Sequence, residues 1–175
     1  QPYTVLAFDL PGVGDSDIPK HFRVGKFSDI HASRLIIQEL NLHRIHIVGH
    51  SMGGAIGLLL AKDIGSIVKS FICLEGNLVS DDCSGSRAAI KYSLEDFQKE
   101  GFQYLKAKIS ENADALFVGC LSKSNPYAFY RSSESLVEWS DSGRLLDLFL
   151  SLDVHKCYVF GELNAGAPVI KHLVS

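Results

Sequence analysis

Short apolar runs alternate with longer amphipathic stretches along this chain. Tyr3 to Asp9 (YTVLAFD) reads as a buried strand that ends in the tight loop Pro11-Gly12-Val13-Gly14. Ser28 is placed to cap a helix running to about Leu40, with Ile30, Leu35, Ile36 and Leu40 as its apolar stripe. Ile45 to Val48 reads as a second strand, running through Gly49-His50-Ser51-Met52-Gly53-Gly54 into a small apolar helix that reaches about Lys62. Ile67 to Leu74 is a third strand, closing on Glu75-Gly76-Asn77, and Lys156 to Phe160 a fourth, closing on Gly161. Strands separated by helices imply parallel units with right-handed crossovers. Continuous rather than alternating apolar runs predict helices over both sheet faces. Roughly 80 residues separate the third and fourth strands, far more than a crossover needs. Leu94, Phe97, Tyr104 and Leu105 fall near one helical face there, and Leu145 to Leu152 is densely apolar. A helical insertion delivered at the C-terminal ends of strands is a candidate lid over a pocket.

Gly49-His50-Ser51-Met52-Gly53 matches G-x-S-x-G between a strand and a helix, the context that gives this pattern its meaning. A sharp strand-to-helix turn strains the residue at its point and lifts the Ser51 hydroxyl clear of the sheet. Its flanking positions approach neighbouring backbone, where a side chain would clash, so glycine is predicted at both. The helix N-terminus just behind offers unpaired N–H groups and a positive dipole end. The Met52 N–H is thereby placed to stabilise an oxyanion formed when Ser51 attacks a carbonyl. Gly53, Gly54, Ala55 and Gly57 suit close packing of the helix on the sheet.

With these motifs the sequence resembles the α/β-hydrolase superfamily, its esterase, lipase and haloperoxidase-like serine hydrolases above all. Phe8 to Asp17 is similar to the family's D-x-x-G-x-G-x-S loop, Val48 to Ala55 to its nucleophile elbow, and Tyr158 to Glu162 to the strand and loop after its cap domain. The resemblance implies an α/β fold: a parallel sheet with flanking helices and a helical cap insertion. The core would comprise residues 1–76 and 154–175, and the cap or lid residues 77–153. It implies Ser51 as nucleophile, Met52 as an oxyanion-hole donor and His50 as a pocket-lining residue. The triad acid usually follows the strand after the cap, where this chain has Gly161-Glu162-Leu163-Asn164, an amide in the acid position. A second acid position lies after the strand that follows the elbow helix, and there Leu74-Glu75-Gly76-Asn77 supplies a carboxylate. Glu75 is therefore the expected acid, with Glu162, or an acid outside this sequence or none at all, as the alternatives. The triad runs Ser, acid, His in this fold. His21, His31, His43 and His46 precede the elbow, His155 sits at the wrong end of its strand, and His172 comes too early. The base is thus expected beyond Ser175, and the second oxyanion donor before Gln1. The reading is of a parent enzyme truncated at both ends, the 175-residue chain alone being inactive.

Composition narrows the partners. The net charge is -3 and no Lys or Arg block stands out, which argues against nucleic acid and anionic membranes. No apolar stretch approaches the roughly 20 residues of a membrane span. Cys73, Cys83, Cys120 and Cys157 are scattered, which fits a reducing, cytoplasmic compartment better than a disulfide framework. Asp9-Leu10-Pro11-Gly12 matches the DxxG of GTPases, but no G-x-x-x-x-G-K-[ST] loop accompanies it. Serine at position 51 argues against haloalkane dehalogenation, which uses an Asp nucleophile in this fold. The expected function is hydrolysis of a small-molecule ester or similar acyl substrate through an acyl-enzyme, with no metal or organic cofactor. The alternative is a non-catalytic module of the same fold that binds a small molecule or a protein. Phe97, Phe102, Tyr104, Phe129, Tyr130 and Trp139 are candidates to line an acyl pocket or to form plain core.

Overall fold

The structure, a computed structural model, describes residues 3–18, 28–111 and 115–174. Gln1, His21 and Ser175 lie outside the described residues. Helix α1 (Ser28–Glu39) leads to strand β1 (Ile45–His50), helix α2 (Met52–Asp63) and strand β2 (Val68–Leu74). A helical segment follows: α3 (Ser84–Ala89), a continuous rod of α4 (Leu94–Asp96), a π-turn (Phe97–Gly101) and α5 (Phe102–Ser110), then α6 (Ala115–Ser122), α7 (Pro126–Asp141) and α8 (Arg144–Ser151). Strand β3 (His155–Val159) and α9 (Pro168–Leu173) complete the order. The three strands form one parallel sheet in the order β1-β2-β3.

Helix α2 seats on the sheet because its glycines present no side chain. A Cβ at Gly57 would lie 3.0 Å from Ile47 and 3.1 Å from Phe71. Leu58, Ala55 and Ala61 are fully buried beneath it. Helix α8 packs beside α2 on the same sheet face, where the Phe149 ring meets Phe71 and Tyr158 edge-on. A second apolar cluster, Ala89, Phe97, Phe102, Leu105, Leu121 and Tyr130, lies wholly within the helical segment. Helix α7 belongs to both, since its Leu136 and Val137 enter the sheet-side core and its Tyr130 enters the second cluster. The aromatic residues Phe97, Phe102, Phe129 and Tyr130 are therefore core packing, while Tyr104 is 55% exposed and leaves the face predicted for it.

Three expectations need correction. Residues 3–10 form no strand of the sheet, although the Tyr3 ring meets His46 of β1 edge-on. Val5 is 87% exposed and Tyr3 65%, so this apolar run has no covering layer among the described residues. The sheet is not covered on both faces: β1 and β3 alternate, with His46, Val48, His50, Cys157 and Val159 exposed and Ile47, Gly49 and Tyr158 turned inward. Helix α1 buries its predicted stripe only in part: Ile30 packs against the sheet-side core and Ile36 is half-buried. Its inward face is Asp29, Ser33 and Ile37, four residues apart, whereas Leu35 and Leu40 are exposed. The two polar residues are tolerated inside because both are bonded. Ser33 donates to the Asp29 carbonyl at 2.7 Å, and Ser132 of α7 donates to the Asp29 carboxylate at 3.2 Å.

Candidate active site

The polypeptide turns from β1 into α2 within one residue. Ser51 takes φ 53° and ψ -123°, a conformation that costs a non-glycine residue roughly 1–3 kcal/mol. The surrounding ladder holds it there: the Ser51 N–H donates to the Leu74 carbonyl at 3.0 Å, and its carbonyl accepts from the Gly54 N–H at 2.9 Å. Close approach demands glycine on one side of the turn. A Cβ at Gly49 would strike the carbonyl of Gly53, and one at Gly54 would lie 2.8 Å from the Gly76 Cα. Gly53 itself is different from expectation, because a Cβ there would meet nothing within 4 Å. Met52 is the first residue of α2, so its N–H has no carbonyl within the helix to bond.

The Ser51 hydroxyl donates to Oδ1 of Asn77 at 3.0 Å. Asn77 is nearly buried and its orientation is fixed, since Nδ2 donates to the Asp82 carbonyl at 2.6 Å and leaves Oδ1 for the serine. Its own N–H returns to the Ser51 carbonyl at 3.3 Å. Sequence reasoning gave Asn77 no role, although it stands in the Leu74-Glu75-Gly76-Asn77 string that flagged Glu75.

Glu75 follows directly on β2, and its N–H continues the ladder to the Val159 carbonyl at 2.8 Å. Its φ is 46°, the second strained backbone position at this end of the sheet. Oε1 accepts from Asn164 Nδ2 and from the Gly161 N–H, each at 2.8 Å. These donors, Asn164 first, hold the carboxyl below the usual glutamate range, and the nearby His50 acts in the same direction. Glu162 is exposed in the turn Glu162–Asn164. His50 ends β1, with Leu74 as its partner across the ladder, and its side chain is exposed. The structure thus brings Ser51, Met52, His50 and Glu75 to one end of the sheet. Histidines 31, 46 and 155 lie elsewhere: His31 contacts Arg34 and His46 contacts Ser70, while His155 opens β3 at the far end. Cys73, beneath the elbow, is fully buried and its thiol is pushed up to about 12, chiefly by desolvation, which makes it inert packing.

The loop read as Phe8 to Asp17 is a self-bonded turn. The Asp9 carboxylate accepts from the Asp15 N–H at 2.9 Å, and Ser16 donates to the Asp9 carbonyl at 2.8 Å. Gly12 and Gly14 take φ 78° and 60°, which only glycine adopts freely, and the Gly12 carbonyl accepts from Asn125 at the start of α7. A cavity of about 370 Å³, lined by Arg34, Gln38, His43 and Ile64 among others, lies at the opposite end of β1 from Ser51. All four cysteines are free thiols, and no helix among the described residues is long and apolar enough to cross a membrane.

The chain has counterparts among known proteins. The family model described as the alpha/beta hydrolase fold matches residues 1–142. The chain belongs to this family. RutD of Pantoea ananatis, assigned as a carbamate hydrolase, is 32% identical over 76 residues, which are 42% of this chain and 27% of that protein. A thermophilic esterase from Thermogutta terrifontis superposes with a TM-score of 0.69 at 17% identity, over 88% of this chain and 60% of that one. The N-acyl homoserine lactonase AidH gives 0.63 at 17% identity, over 88% and 58%. The chain spans about a quarter of the length of the curated relatives it matches.

Proposed function

We propose that the full-length protein is a serine hydrolase acting on an ester or similar acyl substrate. Ser51 Oγ attacks the acyl carbonyl carbon, and the Met52 N–H receives the oxyanion. The hydroxyl proton passes to an imidazole supplied from the rest of the full-length protein, then to the leaving alcohol as the C–O bond breaks. Water releases the acid from the acyl-serine by the reverse proton path. Glu75, held ionised, orients that imidazole and offsets its positive charge. Within residues 77–153, the helices that build the second apolar cluster, α3 to the first half of α7, act as the cap, whereas α8 belongs to the sheet-side core. One observation carries the reading: the positive φ of Ser51 at the head of α2, strain that a mere helix cap does not need. The esterase and lactonase likenesses support the same chemistry without specifying the acyl group.

The test is labelling of the full-length protein by a fluorophosphonate probe. Wild type is expected to label and Ser51→Ala is expected to lose all signal. Absence of Ser51-dependent labelling in folded protein would favour a non-catalytic binding module.

A further inference from the structure

The chain offers two stations for a triad acid, 89 positions apart, and the parallel pairing of β2 with β3 delivers them to one spot. Leu74 stands opposite Val159, so the residues that follow each strand emerge side by side. Glu75 comes from one strand end and Asn164 from the other. The Asn164 amide and the Gly161 N–H both donate to the same carboxylate oxygen, Oε1, at 2.8 Å. Gly161 permits this approach, since a Cβ there would sit 3.3 Å from that oxygen. Among the described residues no donor reaches Oε2.

We infer that Asn164 is a positioning residue for Glu75: an amide donor that, with the Gly161 N–H, saturates Oε1 and turns Oε2 toward an imidazole. The last clause rests on the serine-hydrolase reading; the clamp on Oε1 does not. An amide and a carboxylate are complementary at this distance, whereas two carboxylates could not both ionise. The amide in Gly161-Glu162-Leu163-Asn164 is therefore not a lost acid but the partner of an acid across the sheet. It follows that restoring an acid at 164 would damage the site. The groups facing Glu75 are His50 from β1, the Tyr158 phenol from β3 and the amide donors of the 161–164 turn.

The experiment uses full-length protein with carbon-13 in its glutamate carboxyls, Glu75 being assigned by its loss in Glu75→Gln. Wild-type Glu75 is expected to titrate below the ordinary glutamate range. Asn164→Ala should move the midpoint up toward that range. Asn164→Asp should give two coupled steps, one above it. An unchanged Glu75 midpoint in Asn164→Ala overturns the clamp, whatever the protein hydrolyses. Fluorophosphonate labelling of Ser51 supplies the second readout. Asn164→Asp should label more slowly than Asn164→Ala, and the exchanged pair Glu75→Asn with Asn164→Asp should regain roughly tenfold over Asn164→Asp alone. Midpoints that move while Asn164→Asp labels like wild type uphold the clamp and overturn Glu75 as the triad acid.

Discussion

At the scale of single residues, the elbow separates glycines that a pattern treats alike. Gly49 faces the backbone of Gly53, which cannot move without unwinding the first turn of α2. Gly53 faces open space and has an ordinary backbone conformation. Gly49→Ala is therefore expected to destabilise the fold by at least about 2 kcal/mol, the upper range for overpacking against rigid neighbours. Gly53→Ala should fall within about 0.5 kcal/mol of wild type, with the better helix propensity of alanine working in its favour. Urea melts of the two variants check this, and equal losses would show that the turn tolerates neither. The strain at Ser51 was legible in G-x-S-x-G because the motif is local. The second partner of that serine was not, because Asn77 reaches it across a strand pair and pattern reading sees only neighbours in sequence.

At the scale of elements, α1 shows what hydrophobic periodicity misses. Its start at Ser28 and its length were readable, yet the face turned inward is the one holding Asp29 and Ser33. A buried polar pair satisfied by its own turn and by Ser132 of α7 looks, in sequence, like a solvent face. This contact ties α1 to α7 and gives stability a defined pH dependence. Burial raises the Asp29 carboxyl above its ordinary value, with the Ser132 hydrogen bond opposing part of that shift. A carboxyl with a raised folded value binds its proton more tightly when folded. Its contribution is therefore most favourable below the unfolded value near 4 and is lost as pH rises through the raised one. Asn at this position keeps the acceptor for Ser132 and carries no charge. Asp29→Asn should thus melt higher than wild type at pH 7, with the gap closing toward pH 3. A variant less stable than wild type at pH 7 would mean the ionised form is the one α1 needs.

At the scale of the whole molecule, two apolar clusters share one long helix. The sheet-side cluster gathers α2, β2, α8 and the start of α9, and the second gathers α3, α5, α6 and the N-terminal half of α7. The order from β1 to β3 was legible because each of these strands is a compact apolar run closed by glycine, although the same signature at Tyr3 to Asp9 marks no strand of the sheet. Which helices share a core was not, because that depends on how α7 spans both clusters. Among the described residues, Phe97, Phe102 and Tyr130 are three of the six buried residues of the second cluster, and the half-buried Phe129 packs against them, stacked on the fully buried Phe97 at 6.0 Å. Removing one ring from so small a cluster takes away a large share of its burial, roughly 3–5 kcal/mol for a phenylalanine truncated to alanine. The sheet-side cluster contains none of these rings. Phe97→Ala should therefore open the second cluster as a unit before the sheet unfolds. Hydrogen exchange measured by mass spectrometry is expected to show faster exchange across α3 to α6 and the first half of α7, with β1, β2 and α2 still protected. Uniform acceleration across the chain would mean instead that α7 couples the two clusters into one cooperative unit, and that the helices of the second cluster cannot move without unfolding of the sheet.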